Sequence, residues 1–94
     1  MRPEHGGRVE LKLEDTSSES ARYALTVFTP QSELESSAVV HESSGAIDVA
    51  DWHGGAPPPW LAALAHALLR GAWRNKSSDG AWPRRITRWR PDPG

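Results

Sequence analysis

A single long apolar segment, residues 57–74 with the sequence PPPWLAALAHALLRGAWR, constrains the fold of this chain more than any other feature. Its apolar residues recur every three or four positions, which is the spacing of an amphipathic helix. Proline is tolerated in the first turn of a helix, because its missing N–H would have no partner there. The segment therefore predicts one helix that begins near Pro58 and reaches Arg74.

The predicted helix carries two apolar stripes when its residues are spaced at about 100°. The broader stripe should face the core, and its members are Trp60, Leu61, Leu64, Leu68 and Ala72. The second stripe consists of Ala62, Ala65, Leu69 and Trp73, beside a polar strip of His66, Arg70 and Arg74. Because one sheet cannot hide both stripes, either the C-terminal segment of the chain or a partner should cover Leu69 and Trp73.

The residues before this helix show patterns typical of strands. Residues 8–14 (RVELKLE) alternate strictly between apolar and charged, and residues 22–29 (RYALTVFT) are rich in β-formers. Residues 38–42 and 46–50 flank a Ser-Ser-Gly turn in which Gly45 can adopt a positive φ. These four segments predict an antiparallel meander. Residues 31–37 are polar and are interpreted as a loop or a single helical turn.

The region after the helix contains a predicted loop and one further extended segment. Residues 75–80 (NKSSDG) are rich in turn formers. Residues 81–90 (AWPRRITRWR) are interpreted either as a short edge strand, which Pro83 and Pro91 would suit, or as a tail across the helix. The predicted fold class is α+β: an antiparallel sheet of four strands, or five with this segment, with one helix packed across one face, in the order β-β-β-β-α(-β).

The chain has 94 residues, which suits a single small domain with one modest core. Its ends are rich in glycine, proline and charge, so residues 1–7 and 91–94 are expected to be disordered tails. The sequence has no cysteine and no secretory signal pattern, and we expect a cytoplasmic protein. Arginine outnumbers lysine nine to two, a bias that favours a GC-rich bacterial source.

The net charge of −1 hides a strong asymmetry along the chain. Residues 1–51 carry four basic and ten acidic side chains, whereas residues 70–94 carry seven basic and two acidic ones. Residues 52–69 carry none, and all five tryptophans lie at or after position 52. The sequence therefore has an acidic half and a basic, tryptophan-rich half.

Tryptophan and arginine are interleaved in the last third of the chain, and both are enriched where protein interfaces concentrate their binding energy. The candidate interaction surface consists of Leu69, Arg70, Trp73, Arg74, Trp82, Arg84, Arg85, Arg88, Trp89 and Arg90. The same residue types also suit single-stranded nucleic acid, where rings stack on bases and arginines neutralise phosphates. The alternative is structural: the tryptophans complete a small core, and the arginines cap them.

The sequence favours a small non-enzymatic interaction module that binds an unidentified protein partner or forms a weak homodimer. The first alternative is single-stranded nucleic-acid binding through the basic, Trp-rich C-terminal segment. The second is a small enzyme in which His53, two positions after Asp51 and beside a flexible glycine pair, acts as a general base. The four histidines lack metal-ligand spacing, so no metal ion is expected. No cofactor and no membrane contact are expected either.

Overall fold

A computed structural model of the chain describes residues 4–93. The elements in chain order are β1 (Gly7–Thr16), β2 (Ser20–Phe28), β3 (Glu33–His41), β4 (Ile47–Val49), α1 (Pro59–Asp79) and β5 (Arg85–Arg90). The five strands form one antiparallel sheet in the order β4-β3-β2-β1-β5. The predicted α+β class is confirmed, and the basic C-terminal segment supplies the fifth strand beside β1.

The core lies between one face of this sheet and the helix. The sheet contributes the side chains that alternate toward this face, namely Val9, Leu11, Tyr23, Leu25, Val27, Leu34, Ala38 and Val40. The helix contributes Leu61, Ala65, Leu69 and Ala72. Burying each large aliphatic side chain stabilises the fold by about 1.5–3 kcal/mol. The opposite face of the sheet has no helix on it among residues 4–93, and it is mostly polar.

The helix is rotated about its axis relative to the prediction, so its buried arc runs between the two expected stripes. Leu69, expected to need an external cover, is 0% exposed, whereas Leu64 and Leu68 are only partly buried. Small residues explain the rotation, because Ala65 and Ala72 let the helix approach the sheet closely. At the helix start, a Cβ on Gly7 would lie 2.6 Å from the methyl carbons of Leu61, so a larger residue there would force the Leu61 side chain to shift.

Two predicted loops belong to regular elements. The helix continues to Asp79, where Gly80 adopts a left-handed φ of 78° and donates its N–H to the carbonyl of Lys76. The prediction of a loop at 75–80 was therefore wrong over most of its length. The prediction for 31–37 was also wrong, because β3 begins at Glu33 and its polar residues pair with β2. In both places the polar side chains belong to a regular element and are at least partly exposed.

The N-terminal approach to β1 is held against the last strand. Gly6 and Gly7 are buried, and Gly7 is the first residue of β1. The expected disordered tails at 1–7 and 91–94 fall partly outside the described residues, which exclude 1–3 and 94. Residues 91–93 are exposed and follow the end of β5.

Within the described part of the chain, the helix is not apolar enough to cross a membrane.

Candidate protein-interaction edge

The basic C-terminal segment of the sequence forms one edge of the sheet, and the acidic part of the sequence forms the other four strands. Strand β5 forms one outer edge and carries Arg85, Arg88 and Arg90, all exposed. Strand β4 forms the other edge and carries Asp48, next to the acidic strand β3. Glu10 of β1 lies directly opposite β5, so folding preserves the charge asymmetry only in part, but the clearest cluster of exposed cations lies along one free edge.

The backbone of β5 presents alternate residues to solvent. In an antiparallel ladder, opposed residues alternate between hydrogen-bonded and non-hydrogen-bonded pairs. The N–H of Leu13 donates to the carbonyl of Arg84 at 2.8 Å, so this pair is of the hydrogen-bonded kind. The register between β1 and β5 has no shift, so backbone bonds to β1 also come from Ile86, Arg88 and Arg90. The outward-pointing residues are Arg85, Thr87 and Trp89.

Two arginines fold back onto this outward row. Arg88 donates from Nη1 to the carbonyl of Thr87 at 2.8 Å, and Arg90 donates from Nη1 to the carbonyl of Trp89 at 3.0 Å. These contacts agree with the assignment of both carbonyls to the solvent side. Among residues 4–93, the N–H groups of the outward row have no backbone acceptor outside the sheet. The edge thus presents open donors beside carbonyls that its own side chains cover.

Trp89 extends this edge onto the helix-free face of the sheet. Its side chain is 42% exposed, and its Nε1 donates to the carbonyl of His5 at 3.2 Å. The His5 ring meets the indole edge-on, with ring centroids 5.4 Å apart. Across the strand pair, Trp89 faces Arg8, whose guanidinium lies 4.4 Å from the centroid of the Phe28 ring. Trp89 is therefore an oriented aromatic side chain with one accessible surface.

A cavity of about 490 Å³ adjoins the first residues of β5. It lies where β1 continues past β5, and its cations are Lys12, Arg84 and Arg85. Glu14 and Asp15 also line it. The cavity therefore has mixed charge with a positive excess, and it places Arg84 at the end of the basic edge.

Two candidate residues from the sequence lie in the core. Leu69 lies on the buried face of the helix, and Trp82 is 9% exposed and meets Tyr23 edge-on at 6.4 Å between ring centroids. The Tyr23 hydroxyl donates to the carbonyl of Pro83 at 2.6 Å. Burial disfavours the phenolate and raises the pKa of Tyr23 to about 12. These contacts fasten the segment that leads into β5, which is the structural role weighed for the tryptophans.

The remaining candidates lie away from β5. Trp73 is half-buried on the flank of the helix toward the β3–β4 turn, where its Nε1 donates to the carbonyl of Glu42 at 2.7 Å. A Cβ on Gly45 would lie 3.0 Å from the same ring. Arg70 and Arg74 are exposed on the helix. The structure thus brings together Arg84, Arg85, Arg88, Trp89 and Arg90, and separates them from the helical candidates.

Sequence reasoning missed the backbone of Thr87 and the side chains of Arg8, Lys12 and His5. Thr87 has no distinctive side chain, and its outward N–H follows only from the β1–β5 register. The alternation of residues 8–14 places Arg8 and Lys12 on the solvent face of a strand, and their positions beside β5 depend on the same register. The usable signal was the alternation within residues 8–14, which already placed both cations on one face.

The residues of the enzyme hypothesis lie beside β3, away from the β5 edge. Asp51 and His53 line a depression of about 360 Å³ together with Glu35. His53 is bridged to Glu35 through two backbone hydrogen bonds, and no hydrogen bond joins the Asp51 and His53 side chains in the described structure. Across residues 4–93, no three histidine, aspartate or glutamate side chains converge as a metal site would require.

Comparison of the chain with family models, curated proteins and solved structures found no match.

Proposed function

We propose that this chain is a small non-enzymatic protein-interaction module that binds its partner through the basic edge, defined as Arg85, Thr87, Arg88, Trp89 and Arg90. The observation that carries the proposal is the outward backbone row of β5, which lies between exposed arginines and an exposed indole. Arginine and tryptophan are the residues most enriched among binding hot spots. A cytoplasmic location is part of the same proposal and is consistent with the lack of cysteine.

A protein partner suits this edge better than single-stranded nucleic acid does. Open backbone donors in a strand are complementary to a peptide backbone, which supplies carbonyls at the same spacing. Single-strand binders stack successive bases on several aromatic side chains, whereas Trp89 is the one exposed tryptophan among the described residues. Glu10 also lies directly opposite Thr87, so a phosphate backbone along this edge would pass a carboxylate.

The experiment is a selection from a displayed random-peptide library against two forms of the protein. The wild type should enrich peptides that fail to bind the variant Arg85→Glu/Arg88→Glu/Arg90→Glu. A matched control is Arg70→Glu/Arg74→Glu, which reverses exposed charge on the helix and should retain the selected peptides. Selected peptides that bind the β5 variant as well as the wild type would refute the proposal, as would a selection that enriches none.

The nucleic-acid alternative is tested by a separate titration. Labelled single-stranded DNA and RNA are titrated at low and raised salt, where phosphate contacts weaken steeply as salt increases. We expect no binding that survives physiological salt. Salt-dependent binding that is tighter than that of any selected peptide, and that is lost in the β5 variant, would favour the nucleic-acid function instead.

A further inference from the structure

We infer that the partner of the basic edge is an extended acidic segment that adds to the sheet as a sixth strand, antiparallel to β5. This inference rests on the proposed function and specifies its binding mode and partner chemistry. Strand addition uses main-chain hydrogen bonds for affinity and alternate side chains for specificity. Strand β5 offers such a template over its six residues.

The prolines at both ends of β5 define the length of the template. Pro83 and Pro91 have the same parity as Arg85, Thr87 and Trp89, and proline has no N–H to donate. The open donors are therefore confined to the three outward residues of β5. A bound segment of matching length would pair with all of them and would not find a further donor at either end.

The arginine contacts on the edge explain why the segment should be acidic. A partner N–H can bond the carbonyls of Thr87 and Trp89 only if Arg88 and Arg90 move off them. Each released guanidinium then needs a new acceptor, and a carboxylate on the added strand supplies one with charge assistance. An uncharged strand would remove the same contacts without replacing them. The edge therefore favours acidic strands over uncharged ones, because only an acidic strand replaces the arginine bonds that binding breaks.

The two faces of the added strand would meet different surroundings. Ile86, Arg88 and Arg90 lie on the helix-bearing face, because they are opposite Leu11, Val9 and Gly7 respectively. Thr87 and Trp89 lie on the other face. An alternating segment fits best, with its carboxylates on the helix-bearing face beside Arg88 and Arg90, and its apolar side chains beside Trp89.

A second copy of this chain is a weaker occupant than a separate acidic segment. Its acidic edge strand, β4, is three residues long. The N–H of His41 bonds the carbonyl of Ala46, and the N–H of Ala50 bonds that of Ser37, so only Ile47 and Val49 of β4 point outward. Such a short strand would leave part of the β5 row unpaired.

The test uses a capped peptide of the same length as β5 that alternates glutamate with valine, and a control peptide that alternates lysine with valine. The glutamate peptide should bind the full chain at least about tenfold more tightly than the lysine peptide. On binding, amide exchange at Arg85, Thr87 and Trp89 should slow, as measured by NMR. Sedimentation of the protein alone should show monomers, and association abolished by changes at Ile47 and Val49 would identify a second copy as the occupant and overturn the inference.

Thr87→Pro separates strand addition from other modes of binding. Proline removes an N–H that is not used within the sheet, so the variant should fold and should lose about tenfold or more in peptide affinity. Thr87→Val keeps the N–H and should bind like the wild type. If Thr87→Pro fails to fold, the peptide itself carries the test: N-methylation on its β5-facing amides should abolish binding, whereas methylation of alternate amides should not.

The outcomes separate the inference from the function on which it rests. Library peptides that depend on the β5 arginines but tolerate Thr87→Pro and N-methylation would preserve the proposed function and refute strand addition. Equal affinity for the glutamate and lysine peptides would refute the acidic chemistry. Failure of every peptide, together with an empty library selection, would remove the proposed function as well.

Discussion

The β4 edge and the β5 edge of this sheet differ in length, in charge and in what lies over them. The β4 edge has three residues, after which residues 50–53 continue along β3 through backbone hydrogen bonds of Ala50 and His53. Three prolines then lead into the helix. The β5 edge has six residues, has no proline or bulge within it, and is covered mainly by its own arginines.

This contrast indicates which edge is available to a partner. Proteins protect exposed edges with short strands, prolines, irregular backbone or charge, because an open edge pairs readily with other chains. The β4 side is three residues long and is followed by irregular backbone at residues 50–53, so it offers little strand for a partner to pair with. On the β5 side prolines lie only beyond the two ends of the strand, at Pro83 and Pro91, so along the strand itself the protection is charge, which a partner of opposite charge can neutralise. An edge protected in this way excludes most strands and admits acidic ones.

The largest expected effect concerns the anchoring of β5. Trp82→Ala should lower the free energy of unfolding by about 3–5 kcal/mol, because it empties a buried aromatic site against Tyr23. Urea unfolding followed by circular dichroism measures the change. Trp89→Ala, seven positions later in the same segment and 42% exposed, is the matched control and should cost only about 1 kcal/mol, the contribution of its hydrogen bond to His5. Equal losses for the two variants would show that Trp89 is a core residue.

The second prediction concerns the tyrosine that fastens the same segment. Tyr23 has a pKa raised to about 12 by burial, against about 10 when unfolded, so the unfolded chain loses this proton first as pH rises. Its contribution to stability is complete below pH 10 and should fall between pH 10 and 12 by up to about 3 kcal/mol. Because the chain has one tyrosine, phenolate absorbance reports this ionisation directly.

Tyr23→Phe is the control for this pH dependence. The variant should be less stable than the wild type by about 1 kcal/mol near neutral pH, because the carbonyl of Pro83 loses its donor. The difference between the two proteins should then shrink or reverse sign above pH 10. A difference that stays constant up to pH 12 would contradict the burial of the phenol.

The sequence predicted elements better than it predicted their relative placement. Alternation in residues 8–14 and the three-to-four spacing in residues 57–74 each report on a single element, and both elements form, although the helix continues five residues further, to Asp79. The rotation that buries Leu69 depends on how closely the helix approaches the sheet, which Gly7 and the helical alanines decide jointly. Pattern within one segment carries no information about such contacts between segments.

The candidate site shows the same limit. Composition identified the basic residues of β5 and the exposed Trp89, but grouped them with the buried Trp82 and with Trp73, which packs at the β3–β4 turn. All three tryptophans neighbour arginines in sequence, so composition cannot separate them. Which of them reaches solvent, and which backbone groups of β5 point outward, follow from the register with β1. That register is set by packing across the whole sheet.

The third prediction concerns the β3–β4 turn, which leads into the β4 edge. Gly45 has a φ of 74° and lies under the Trp73 ring, so Gly45→Ala should cost about 1–3 kcal/mol through backbone strain and displacement of the indole. Gly71→Ala is the opposite case, since Gly71 is inside the helix and a Cβ there meets nothing within 4 Å. It should stabilise the protein by about 0.5–1 kcal/mol. Thermal unfolding of both variants checks the pair, and a neutral Gly45→Ala would show that the β3–β4 turn is not fixed by Trp73.

The smallest expected effect on stability comes from replacing the β5 arginines, which tests whether they prevent the edge from pairing with other chains. Arg85→Ser/Arg88→Ser/Arg90→Ser changes exposed side chains, so the free energy of unfolding should stay within about 1 kcal/mol of the wild type. The variant nevertheless loses the charge and the carbonyl caps that protect the edge, so it should self-associate at high protein concentration, as measured by sedimentation. Arg70→Ser/Arg74→Ser removes charge from the helix and should remain monomeric. If the β5 variant also stays monomeric at every concentration, its arginines do not prevent edge-to-edge pairing. The contrast between a short, irregular edge at β4 and a charge-protected edge at β5 would then have no physical basis.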